Sequence, residues 1–246
     1  MFDRALNYPY SAIEGDFLFT DGATIELEDD SFLNNRQAVL AVGSNRSPEQ
    51  LVRKFGRNET IPVTKATLRD YDVFYSAHIA SYGSIPAVLG RSDGTLVDLS
   101  VTWLLPHQLE RMHETEALGK SYDYGESSSL QLDLGNDRSA KSIGCYLGRN
   151  GRANFDGGPI VLKEVMASAR KFPSADQKTI LTHFYHLNCK NKSFEKWLET
   201  IIKDDVFRAQ ASEELASSAI KNDLSEFGVK KKLLVCSPCL LYTSPS

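Results

Sequence analysis

Residues 38–55 read AVLAVGSNRSPEQLVRKF, and the fold turns on this stretch. Ala38-Val39-Leu40-Ala41-Val42 is an unbroken apolar run, as expected of a short strand buried on both faces. Gly43-Ser44-Asn45 then stops the strand with residues suited to tight, positive-φ or side-chain-bonded turns. A helix start follows, with Ser47 placed as N-cap, Pro48 as the first helical residue and Gln50 as the reciprocal partner of a capping box. Leu51, Val52 and Phe55 form the apolar side of this helix, and Gly56 ends it. Strand, loop N–H groups and positive helix N-terminus converge on one spot, a corner suited to a small anionic or carbonyl group.

The composition bounds what surrounds that corner. At 246 residues, 41% of them hydrophobic and 24% charged, the chain is long enough for a proper core. A net charge of −4 argues against a nucleic-acid-binding surface. No apolar run approaches the roughly 18 residues of a membrane span, and the acidic start, interrupted by Pro9, reads as neither signal nor transit peptide. Four scattered cysteines fit a reducing cytoplasm, the expected location. In that setting the tripeptides beginning at Asn45, Asn58 and Asn191 are chance sequons.

Working outward, residues 1–37 read as a lead-in of loops with one short strand at Phe17-Leu18-Phe19. Residues 61–104 are strand territory: Ile61 to Leu68, a turn at Arg69-Asp70, Tyr71 to His78, Ile85 to Leu89, a turn over Gly90 to Gly94, then Thr95 to Leu105. Two further strands are expected at Leu130 to Leu134 and Ser142 to Leu147, around a Gly135-Asn136-Asp137 turn. Arg149 to Pro159 reads as a long loop. From Ile160 the pattern is helical in four segments, 160–171, 174–189, 193–203 and 204–222, with starts at Ser193 and Asp204. The expected class is α+β: a small mixed or antiparallel, barrel-like sheet with flanking helices over 38–159, and a helical extension over 160–238 packed on it.

Pro106 opens a second informative helix. Leu105, Leu109 and Met112 form an apolar stripe at helical spacing, and the next position on it is Glu116. A carboxylate on a buried stripe must be paired, hydrogen-bonded or protonated, and desolvation raises its pKa toward that of a general base. In the competing reading the helix has ended by Glu116, which then reaches water. Glu110 and Glu114 face away. Tyr122 and Tyr124 follow, before Gly125 and a serine-rich loop.

Two cysteine and histidine patterns carry less. His183, His186 and Cys189 lie a turn apart on one expected helix, but no further ligand at a supporting spacing completes a metal site. Cys236-Ser237-Pro238-Cys239 has CxxC spacing, yet residues 239–246, CLLYTSPS, read as the in-frame translation of a transposon-type sequencing adapter. On that reading Cys239 is foreign and the natural C-terminus is missing.

Taken together, the two informative places resemble the gamma-glutamylcyclotransferase-like family, over roughly residues 38–150. That family has a strand ending in Tyr-Gly-Ser-Asn before a helix, and a later helix carrying a catalytic Glu commonly followed by Gly. Val42-Gly43-Ser44-Asn45 matches the first and Met112-His113-Glu114-Thr115-Glu116-Ala117 the second, while Tyr75-Ser76-Ala77-His78 and Ile85 to Leu89 resemble strand segments between them. Val42, Arg46 and Ala117 stand where the pattern has a tyrosine, an apolar residue and a glycine. Bacterial proteins sharing these segments are also similar to the chain as a whole. The resemblance implies cofactor-independent cyclisation of a γ-glutamyl compound to 5-oxoproline, with Glu116 as proton shuttle and Val42, Gly43, Ser44, Asn45, Tyr122 and Tyr124 around the substrate. Small γ-glutamyl molecules are then the expected partners; no cofactor, metal, nucleic acid or membrane is. Two other readings stay open: a non-catalytic metabolite-binding module on the same fold, and a hydrolase using Ser44 with His78 or His113.

Overall fold

The computed structural model describes residues 2–155, 157–189 and 191–230. A one-turn helix α1 (Asp3–Leu6) precedes the hairpin β1 (Phe17–Thr20) and β2 (Ala23–Glu26), then β3 (Gln37–Ala41) and α2 (Pro48–Phe55). The long strands β4 (Ile61–Tyr75) and β5 (Ala87–Leu104) lead to α3 (Pro106–Thr115), β6 (Tyr122–Ser127), β7 (Leu132–Asp133) and β8 (Ile143–Gly148). Short strands β9 (Val161–Leu162), β10 (Ala167–Ser168) and β11 (Ser174–Ala175) follow, then helices α4 (Gln177–Asn188), α5 (Phe194–Lys203) and α6 (Asp205–Ser217), and β12 (Gly228–Lys230). The fold is α+β. Its mixed sheet runs β11-β9-β4-β5-β3-β8-β6-β12 and stays open between those ends instead of closing into a barrel.

Strand β3 lies inside this sheet, antiparallel to β5 and parallel to β8. Its alternation explains the apolar run at 38–42. Ala38 and Leu40 enter one core together with Ile180, Leu181, Trp197, Leu198 and Ile201 of α4 and α5, so the C-terminal helices share that core with the sheet. Val39 enters the other, with Leu51 of α2 and Met112 of α3. No face of β3 meets water.

Several expected boundaries move. The Arg69-Asp70 and Gly90 to Gly94 turns are not chain reversals, for β4 and β5 pair antiparallel from Val63↔Thr102 to Tyr75↔Ala87. Between Arg69↔Leu96 and Tyr71↔Arg91 the register shifts, so Ser92 to Thr95 bulge out opposite Asp70. Asp70 accepts from Gly94 N–H at 2.6 Å and Ser92 and Thr95 hydroxyls bond at 2.7 Å, so the turn-forming residues shape a bulge. Strands β7 and β8 are not hairpin partners: β7 pairs with β4, while β8 lies between β3 and β6.

Helix over 160–171 is replaced by β9 and β10, and helix begins only at Gln177. Pro159, β-branched Ile160 and Val161, and a left-handed Ala169 (φ 54°) oppose a helix there. Val161 instead pairs with Phe74 and Ser174. The segment is clipped down by Arg170, which donates to both carboxylate oxygens of the fully buried Asp72 at 2.9 and 3.0 Å and to the Val165 carbonyl at 2.7 Å. Ser193 and Asp204 cap α5 and α6 as read from sequence, by accepting backbone N–H groups.

Among the described residues no helix is long and apolar enough to cross a membrane. Cys236, Cys239 and the adapter-like residues 239–246 lie outside the described residues.

The Asp72–Arg170 pair yields a stability test. Replacing the fully buried Asp72 with Asn strands the half-buried Arg170 guanidinium, and unfolding in urea should show a loss of about 2–3 kcal/mol, toward the low end for breaking a buried pair from one side.

A candidate active-site cavity

The corner after β3 forms, with altered capping. Ser44–Arg46 make a single 3-10 turn, closed by Ser47 N–H to the Ser44 carbonyl at 2.9 Å. The opening N–H groups of such a turn have no partner within it. Ser47 occupies the N-cap position of α2 with extended backbone, but among the described residues its buried hydroxyl finds no hydrogen-bond partner, so the Ser47–Gln50 capping box does not form. The interaction of that type is at α3, where Gln108 Oε1 accepts from Leu105 N–H at 3.0 Å.

Helices α2 and α3 lie side by side, clipped by Arg111, whose Nε donates to the Lys54 carbonyl at 2.9 Å. Glu116 is the C-cap of α3, so the helix does end there, as in the competing reading. Its side chain nevertheless turns inward and is only 14% exposed. Oε1 accepts from Asn45 Nδ2 at 2.7 Å and forms an ion pair with Lys54 Nζ, itself 6% exposed and 3.3 Å from Met112 Sδ. Among the described residues nothing donates to Oε2. The carboxylate is thus paired and hydrogen-bonded, two of the three ways to make its burial tolerable.

Glu116 stands on the wall of a cavity of about 410 Å³, along with Val42, Gly43, Ser44, Asn45 and Tyr122. Six of the seven sequence-selected residues therefore meet in one place. Tyr124 does not line it: the ring packs against His113 and Tyr146, in the core behind the cavity. The remaining walls include Lys54, His78, Tyr8, Tyr82 and Tyr146. Lys54 carried a readable signal, since it sits three residues after the core residue Leu51 on the apolar face of α2, as Glu116 follows Met112 on α3. Tyr8 and Tyr82 come from distant segments and had none.

Two tyrosines frame the start of β5. Ala87 N–H donates to the Tyr8 hydroxyl at 2.9 Å, and the Tyr122 hydroxyl donates to the Ala87 carbonyl at 3.1 Å. Burial, reinforced by neighbouring tyrosines and the Glu116 charge, raises both phenols well above their ordinary pKa, so they remain neutral donors and acceptors. Gly43 is required by the close approach of Tyr8: a Cβ there would collide with the Tyr8 hydroxyl and lie 3.0 Å from Ala87 Cβ. Ala117 has φ 48°, the left-handed region, at the position where the resembling family commonly has glycine.

The other candidate chemistries find less support. His78 Nδ1 is engaged with the buried Ser76 hydroxyl at 2.9 Å, and burial lowers its pKa to about 4. His113 Nδ1 lies 2.8 Å from the Tyr146 hydroxyl. Neither contact is with Ser44. Burial and the Glu116 charge push the Cys145 thiol up to about 12, which suppresses the thiolate a nucleophile needs. Among the described residues no group of three or more His, Cys, Asp or Glu side chains is placed to hold a metal, His183, His186 and Cys189 included.

Two measurements test this geometry. Gly43→Ala should cost about 1–3 kcal/mol as an overpacked contact, and Tyr8→Phe in the same chain should recover part of that loss by removing the clashing oxygen. His78 has a depressed folded pKa, so the unfolded chain takes up its proton first and stability falls as pH drops from about 6.5 toward 4. Urea unfolding at pH 7 and pH 4.5 should differ by about 2–3 kcal/mol from this residue, and His78→Asn should remove that part of the slope.

No protein-family model matches this chain, and neither does any curated protein or solved structure.

Proposed function

We propose that the cavity cyclises a γ-glutamyl compound to 5-oxoproline, with release of an amine or amino acid. The observation that carries this reading is the half-engaged carboxylate of Glu116. Asn45 and Lys54 fix Oε1, while Oε2 takes no donor from the described residues, beside the Gly43-Ser44-Asn45 turn. A carboxylate so oriented suits a substrate that brings its own ammonium group.

The substrate supplies both nucleophile and electrophile, so folding it into an attacking shape provides much of the rate. Glu116 removes a proton from the α-ammonium, and the freed amine lone pair forms a C–N bond to the γ-carbonyl carbon. The oxyanion that develops meets the opening N–H groups of the 3-10 turn. On collapse, the original γ-amide C–N bond breaks, the departing nitrogen takes back the proton held by Glu116, and the second proton of the ring nitrogen follows through the same carboxylate, so that the lactam keeps one N–H and the amine leaves as an ammonium ion. No residue is consumed and no external acceptor is needed. Cys145 and Cys189 are free thiols, in keeping with a reducing cytoplasm as the setting.

One observation favours a second reading. The ion pair with Lys54 is also how a binding protein would hold a carboxylate as a fixed recognition group, and the same cavity would then retain an amino compound without turnover.

Release of 5-oxoproline from γ-glutamyl amino acids, γ-glutamyl amines and glutathione separates the two. Glu116→Gln, shown by circular dichroism to remain folded, should lower turnover at least about hundredfold. Full turnover in this variant would exclude Glu116 as the base. Saturable binding with no product in the wild type would establish the second reading.

A further inference from the structure

The cavity contains a cation that the chemistry above does not use. Three cationic side chains line it: Arg53 is paired with Glu49, Lys54 with Glu116, and Arg4 with no carboxylate among the described residues. The Arg4 guanidinium lies over the Tyr82 ring, 4.4 Å from its centroid. Its backbone is held as well, since the Tyr10 hydroxyl donates to the Arg4 carbonyl at 3.2 Å. The neighbouring Ala5 is fully buried, in the core that also takes Leu198 of α5. The Tyr10 phenol also lies within hydrogen-bonding reach of this guanidinium, which, stacked on an aromatic face and carrying five N–H donors, is fixed in plane with donors to spare for a carboxylate.

Resting on the cyclotransferase reading, we propose that Arg4 is a specificity residue that binds a carboxylate on the departing half of the substrate. The cavity then selects γ-glutamyl amino acids or peptides over γ-glutamyl amines. Glu116 receives the ammonium of the γ-glutamyl half, and Arg4 receives the anion of the other. A polyamine leaving group would instead set a second cation against Arg4, an arrangement that costs affinity.

The test compares γ-glutamyl-alanine with its neutral twin, γ-glutamyl-alaninamide, on the chain of residues 1–238. Turnover and calorimetric binding are both measured for wild type, Arg4→Gln and Arg4→Lys. The wild type should prefer the acid by about tenfold in kcat/KM, expressed mainly in KM, as expected for one charge-assisted contact at an exposed side chain. Arg4→Gln should bring the acid-to-amide ratio near one, and Arg4→Lys should restore only part of it because an ammonium lacks the planar fork. Turnover of both compounds with no acid preference, or a preference that survives Arg4→Gln, overturns the role of Arg4 and leaves the cyclotransferase reading standing. Binding that discriminates through Arg4 without turnover keeps the carboxylate reader and overturns the catalytic reading. Neither binding nor turnover of either compound overturns both.

Discussion

Burial of β3 on both faces is the constraint from which the remaining architecture follows. Ala38 and Leu40 enter one core and Val39 the other, so each side of the sheet has to be covered. Helices α4 and α5 cover the first side, α2 and α3 the second. Because α2 begins directly after β3, covering the second side brings its lysine-bearing face against α3. The chain turn that follows β3 is then held at the end of a strand packed on both faces.

The cavity inherits this rigidity. Its polar groups are carried by ends of elements: the turn after β3, the C-cap of α3, the start of β5. Such positions expose backbone and side-chain polar groups while their elements stay packed. Lys54 and Glu116 answer each other across the α2–α3 contact, so that neither charge is buried alone. The same contact fixes which carboxylate oxygen is occupied. Asymmetry of this kind, one oxygen engaged and the other not, is something a solvent-exposed glutamate lacks.

Local pattern in the sequence carried the parts of this that depend on near neighbours. The apolar run at 38–42, the helix start at Pro48 and the stripe ending at Glu116 are each set by residues within two helical turns. The long β4–β5 ribbon was misread because Asp70 and Ser92 to Thr95 have turn chemistry, and whether turn residues reverse the chain or bulge from a strand depends on what pairs across from them. Segment 160–171 is ambiguous for a related reason: a short apolar run fits helix or strand alike, and the contact that pins it, Arg170 to Asp72, spans 98 positions and leaves no local signal. In the cavity, Lys54 was legible from its place on a helix face. Arg4, Tyr8 and Tyr82 were not, since they meet Glu116 only through the packing of the N-terminal segment against the sheet.

Ala117 shows backbone conformation and residue identity coming apart. The chain turns left-handed immediately after Glu116, as glycine permits without strain, yet the residue is alanine. A small conformational cost is therefore stored beside the carboxylate and is held there by the packing of α3. The letter at 117 is that of an ordinary alanine, whereas its dihedral angle is one that glycine adopts freely.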